Sequence, residues 1–154
     1  MCSSDLIALR GNQAVVGAPS QRTKYGEEGG TISIFVRRTG SSWRREPNAI
    51  IAPSTAEAMD YFGSPVATAP GLVVAGLPNA NLRLAPDAGR VAVYRQNVES
   101  RVWIEEPWSQ GDADPRPLIE SPAPETGSDF GQSVGISRRQ LIVGQPNSAR
   151  GANS

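Results

Sequence analysis

"DYFGSPVATAPGLVVAGLP", residues Asp60 to Pro78, decides the fold. Two short apolar runs flank Ala69-Pro70-Gly71, and the pair is bracketed by Phe62-Gly63 and Gly76-Leu77-Pro78. Runs this short, rich in Val and Ala and bounded by Gly and Pro, predict two β-strands joined by a tight turn. The bracketing glycines raise a question, because small residues at a fixed distance serve either to cradle a ligand or to let two backbones approach closely.

Recurrence answers it. The segment Leu6 to Trp43 lines up with Ser64 to Trp103, and a third copy runs from Ser128 to the end. The marks return in order: Phe62-Gly63 and Phe130-Gly131, then Gly17-Ala18-Pro19, Gly76-Leu77-Pro78 and Gly144-Gln145-Pro146, then Gly30 and Gly89, then Trp43 and Trp103. Gly63 to Gly76 and Gly131 to Gly144 both span 13 positions, as do Gly17 to Gly30 and Gly76 to Gly89. Whole-copy spacing is looser, 59 positions from Gly17 to Gly76 and 68 from Gly76 to Gly144. The difference falls between Trp103 and Pro122, where "SQGDADPRP" is inserted, as a surface loop on a repeated unit would be.

In the middle copy the extended runs are Pro65 to Ala69, Leu72 to Gly76, Arg90 to Arg95 and Val102 to Glu106. No helical period separates the second from the third, so four antiparallel strands per unit are expected, as in propeller blades. The fold class is all-β.

Composition narrows the chemistry. Fifteen basic and 15 acidic residues balance, so no overall field draws nucleic acid or an anionic membrane. All the basic residues but Lys24 are Arg, which codon bias in a GC-rich genome explains. There is no His, the commonest general base and metal ligand, and Cys2 is the single cysteine, so neither a disulfide nor a zinc site is expected within the chain. No apolar run is long enough to span a bilayer as a helix, and the chain reads as soluble. The opening "MCSSDL", back-translated from a GTG start, resembles a sequencing-library adaptor; residues 1–6 are therefore expected to be an artefact, with the natural chain continuing upstream of Ile7.

Phe-Gly followed after 13 positions by Gly-x-Pro resembles the FG-GAP repeat, the blade of the seven-bladed β-propeller found in integrin α chains and in many bacterial secreted or surface proteins. The resemblance implies about two and a half blades, fewer than the roughly four to eight that close a ring. It divides the chain into a partial first blade at 7–52, a second blade with an outer-strand insertion at 53–121, and a truncated third at 122–154. Phe62 and Phe130 are then expected to anchor adjacent blades, and Trp43 and Trp103 to sit in the outermost strands and cover the flank of the blade.

Many FG-GAP blades carry an Asp-rich calcium loop between the first two strands. Here the equivalent turns, "LRGNQ", "TAPG" and "SRRQ", lack Asp and Glu, so no cofactor is expected in these blades and calcium only in blades outside this chain. Gly111 to Asp114, "GDAD", is expected to be a solvated turn. No nucleophile and base can be nominated, and no catalytic residue is assigned. Alternating strands should bring the long loops Ser20 to Gly29 and Asn79 to Ala88 to the same face as the links Pro53 to Tyr61 and Pro122 to Asp129. By resemblance these loops form a ligand surface, with Arg22, Lys24, Tyr25, Asn79, Asn81, Arg83 and Asp87 as candidates. The expected role is a noncatalytic, extracellular or cell-surface scaffold binding a protein or carbohydrate; the alternative is an accessory propeller of a secreted enzyme of hydrolase or phospholipase type whose active site lies on other chain.

Overall fold

The computed structural model describes residues 6–24, 26–38, 40, 42–107 and 118–149. They form eleven strands in three antiparallel sheets, none closed on itself. The first sheet runs in chain order through β1 (Ile7–Arg10), β2 (Gln13–Ala18), β3 (Thr31–Arg37) and β4 (Trp43–Ile51). The second contains β5 (Val66–Ala69), β6 (Leu72–Leu77), β7 (Arg90–Gln96) and β8 (Trp103–Glu105), with β9 (Ile119–Glu120) also on β7. The third is the hairpin of β10 (Ser133–Ile136) and β11 (Leu141–Gly144). The chain is thus all-β, in repeated units that follow the spacing of the glycines.

Burial shows how the sheets stack. Strand β2 alternates between buried and half-buried residues, as a strand with one covered face should, whereas every residue of β6 is buried. Val73, Ala75 and Leu77 pack with Val15, Ile32 and Ile34 of the first sheet, while Val74 on the other face packs with Val134, Leu141 and Val143 of the third. The second sheet is the filling of a three-layer stack. Phe62 is fully buried in the first of these cores, its ring edge-on to Tyr94 at 6.2 Å, and Phe130 occupies the matching place in the second. Each contributes on the order of 1.5–3 kcal/mol by leaving water.

The recurring glycines form the joints between units. A methyl group built on Gly17 would overlap the carbonyl oxygen of Gly63, and one on Gly76 would overlap that of Gly131. Gly30 and Gly89, at φ +78° and +84°, lie against the backbone of Phe62 and Phe130 in the same way. The 13-residue spacing therefore places two bare backbone positions where the next unit's Phe-Gly lands. Hydrogen bonds confirm the docking: the N–H groups of Met59, Tyr61 and Phe62 donate to the carbonyls of Glu27, Glu28 and Gly29 at 3.0, 3.1 and 3.3 Å. One unit later Gly127, Asp129 and Phe130 donate to Pro86, Asp87 and Ala88 at 2.9, 3.4 and 2.9 Å.

The inserted residues, Ser109 to Pro117, lie outside the described residues, but the strands on either side of them show how the outer edge of the sheet is built. In the first unit β4 pairs Arg45 with Phe35 and Ile50 with Ser33, with a bulge between. At the corresponding place in the second unit the outer strand is cut in two: β8 ends with Glu105 opposite Tyr94, and β9 resumes with Ile119 opposite Val91. Strand β9 was not expected, because two residues carry no pattern of their own. An ion pair between Arg90 and Glu120, at 3.2 Å and largely shielded, pins it to β7. Trp103 is buried at the head of β8, whereas Trp43 at the head of β4 is 39% exposed, with the Arg37 guanidinium 5.5 Å from its ring centre.

Candidate functional site

The long loops and the links come together at one end of the stack. Residues 19–30 join β2 to β3 and residues 78–89 join β6 to β7, and both fold alike: paired N–H and carbonyl groups of Thr23 with Gly26 recur in Leu82 with Ala85. Because each loop's second half is hydrogen-bonded to the following link, loop and link form one ridge.

Between the two ridges lies an open cleft of ≈ 700 Å³, lined by Pro19, Ser20 and Gln21 of the first loop, Pro78 and Asn79 of the second, and Tyr61 and Ser64 of the link, with Leu6, Gly17 and Ala18 at its floor. Tyr61 Oη donates to Glu28 Oε2 at 2.8 Å, and this bond, more than the neighbouring charge, raises the phenol's pKa. Tyr61 and Glu28 both sit in the left-handed region at φ +53°. That conformation is uncommon for a bulky side chain and costs on the order of 1–3 kcal/mol. The ring is held there by backbone pairing on the Glu28 side and by the Ser64 N–H donating to the Tyr61 carbonyl at 3.1 Å.

The candidate residues distribute unevenly around this end. Asn79 lines the cleft. Arg22 and Lys24 line a second hollow of ≈ 570 Å³ with Ala18, Thr31, Ser33 and Ala52, and Arg22 faces Glu27 at 3.8 Å in solvent. Asn81 braces its own loop, its Oδ1 accepting the Asp87 N–H at 3.1 Å; Asp87, at φ +51°, is exposed and its carbonyl receives the following link. Arg83 stands exposed within the turn closed by Leu82 and Ala85, away from both hollows. Tyr25 and Gly111 to Asp114 lie outside the described residues. Tyr61, Gln21 and Ser64 were not anticipated. The signal for Tyr61 was its place in the link, next to the Phe-Gly that fixes the joint.

Three carboxylates away from the cleft, Asp60, Glu105 and Glu106, are engaged in structure. Burial raises the pKa of Asp60, whose Oδ2 accepts the Glu57 N–H at 2.7 Å and whose Oδ1 has no partner. Glu105 is also raised by burial, and the Ser54 hydroxyl donates to it at 3.4 Å. Glu106 is held below its ordinary range by its hydrogen bonds from Arg95. Among the described residues, no three Cys, Asp or Glu side chains gather as a metal site, and no helix is long and apolar enough to cross a membrane. No model of a known protein family matches the chain, and no curated protein matches it.

Proposed function

We propose that the chain is part of an FG-GAP-type β-propeller that serves as a noncatalytic, extracellular or cell-surface scaffold, binding a protein or carbohydrate ligand at the loop end. The observation that supports this most is the cleft between the two ridges, where an aromatic ring held in a strained conformation stands with the amides of Gln21 and Asn79 and the hydroxyls of Ser20 and Ser64. A ring face with neutral donors and acceptors suits hydroxyl-rich sugars and the polar backbone of a peptide. The absence of His from the sequence and the engagement of Glu28, Glu106 and Glu120 in hydrogen bonds or ion pairs favour binding over catalysis.

The test is a screen of the chain against immobilised neutral oligosaccharides and extracellular-matrix proteins. Tyr61→Ala and Asn79→Ala should each weaken capture at least tenfold, and Arg138→Ala, in the turn between β10 and β11 at the other end, should leave it unchanged. Capture that survives both cleft substitutions would rule out this site.

A further inference from the structure

Overall neutrality conceals a separation of charge between the two ends of the strands. At the loop end, residues 19–30, 52–61, 78–89 and 121–129 hold seven Asp and Glu against three Arg and Lys. At the opposite end the hairpin turns reverse the sign: residues 10–13, 38–44, 69–72, 97–102 and 137–140 hold six arginines and the single carboxylate of Glu99. Arg10, Arg38, Arg44, Arg101, Arg138 and Arg139 are all exposed. Stacked neighbours leave this end open. The turn at 97–101 has a unit on either side, yet Val98 is 87% exposed and Arg101 stands in solvent beside it. Arg10 pairs with Gln13, whose amide donates to Thr68 Oγ1 of the second unit; it is on the covered face of the first sheet and still reaches solvent.

The turns that carry these side chains are built alike. Asn97 Oδ1 accepts the N–H groups of Glu99 and Ser100 at 3.0 and 2.9 Å, which leaves Val98 at the tip. Ser137 Oγ accepts those of Arg139 and Gln140 at 3.3 and 3.1 Å, and the Ser137 N–H donates to the Gln140 carbonyl at 2.8 Å, which leaves Arg138 and Arg139 at the tip. Turns fixed in this way lose little freedom when they meet a partner. The arginines occupy inner turns (Arg10, Arg138, Arg139) and outer ones (Arg38, Arg44, Arg101). With sheets packed about 10 Å apart, the three units spread the charges over roughly 20 Å in two dimensions. Both hollows described above lie at the loop end, so this basic array lines neither of them. A single nucleic-acid strand takes a basic groove with rings to stack on, whereas a bilayer surface takes a flat array of cations with an apolar tip among them.

We propose that the hairpin-turn end binds the surface of an anionic phospholipid bilayer, its arginines against the headgroup phosphates and Val98 entering between the headgroups. The charge separation orients the chain: the acidic loop end is repelled by the same surface and points away from it. The binding is peripheral, crosses nothing, and is independent of any ligand in the cleft.

Cosedimentation of the full chain with vesicles of phosphatidylcholine and phosphatidylglycerol, against vesicles of phosphatidylcholine alone, tests it. Binding should require phosphatidylglycerol and should be lost as salt rises. Replacing Arg138 and Arg139 together by Ala should weaken it about thirtyfold, roughly fivefold per arginine. Val98→Asp, which puts a negative charge on the apolar tip, should weaken it at least as much as the loss of one arginine. A parent that binds neither vesicle, binds both equally or resists salt, or a double variant that binds as the parent does, would each overturn the proposal. Retention on immobilised heparin or duplex DNA without binding to vesicles would overturn it in favour of a soluble polyanion. Unfolding midpoints matching the parent establish that the variants are folded, and the parent's lipid and salt dependence remains decisive if either is not.

Discussion

Gly63 lies so close over Gly17 that its carbonyl oxygen occupies the place a side chain on Gly17 would take, and Gly131 stands in the same relation to Gly76. Units are joined backbone to backbone at these points, and the hydrophobic rings of Phe62 and Phe130 are positioned by that contact. Gly76→Ala should therefore separate the second and third units, lowering stability by about 3 kcal/mol, at the upper end of overpacking costs. Gly135, on β10, has open space where its side chain would be and an ordinary backbone conformation, so Gly135→Ala should be near neutral. Urea unfolding of the two variants checks the contrast.

Phe62→Ala removes a ring with no exposed surface from the core between the first two sheets and should cost about 3–5 kcal/mol. Phe130, 8% exposed against a two-stranded sheet, has neighbours freer to collapse, and Phe130→Ala should cost less. The two unfolding midpoints should fall in that order.

Tyr61 and Asp129 hold the same position in successive links, at φ +53° in both, and Asp adopts that conformation more easily than Tyr. Replacing Tyr61 by Asn should raise the thermal midpoint, by the equivalent of about 1 kcal/mol, while abolishing capture in the ligand screen. Loss of both properties together would assign the tyrosine to packing alone.

Asp60 and Ser128 also correspond. The serine is fully buried and donates to the Ala88 carbonyl at 3.2 Å, whereas the aspartate leaves Oδ1 without a partner. Burial raises the folded pKa of Asp60 above its unfolded value, against the opposing hydrogen bond from the Glu57 N–H and the charge of Arg90, with the carboxylates of Glu57 and Asp87 adding to the rise. Between the two values the folded chain binds the proton and the unfolded chain does not, so stability falls as pH rises through the folded value and stays lower above it. Asp60→Asn keeps an oxygen for Glu57 and removes the charge. It should be more stable than the parent at neutral pH, by about 1–2 kcal/mol, with the two converging in acid. Urea midpoints across a pH series decide it; parallel curves would assign the pH dependence to other groups.

The joints were legible because a backbone-to-backbone contact tolerates no side chain, and so Gly17, Gly30, Gly76 and Gly89 recur at fixed spacing. The strands of the middle unit were legible for a related reason: β6 is covered on both faces and reads as one apolar run between Gly71 and Pro78. The site was legible only in outline. Loops are positioned by hydrogen bonds from their own backbone, which any sequence can make, so nothing in "NANLRLAPDAG" separates Asn79, which lines the cleft, from Asn81, which braces the loop. Nor could the pattern reveal that Tyr61 sits at positive φ, because the link that forces it there is set by Glu27 to Gly29, more than thirty positions earlier in the chain.

The broken outer strand of the second unit has a consequence for how such a chain can change. Glu105 and Ile119 hold the two flanks of the break on β7, and the first unit bulges at the corresponding point with residues 46–49 between its paired positions. Added length at this point leaves the inner three strands and both glycine joints in register. The outermost strand is thus a splice site at which a lineage, or an engineer grafting an epitope between Glu106 and Leu118, can write new sequence without renegotiating the architecture beneath it.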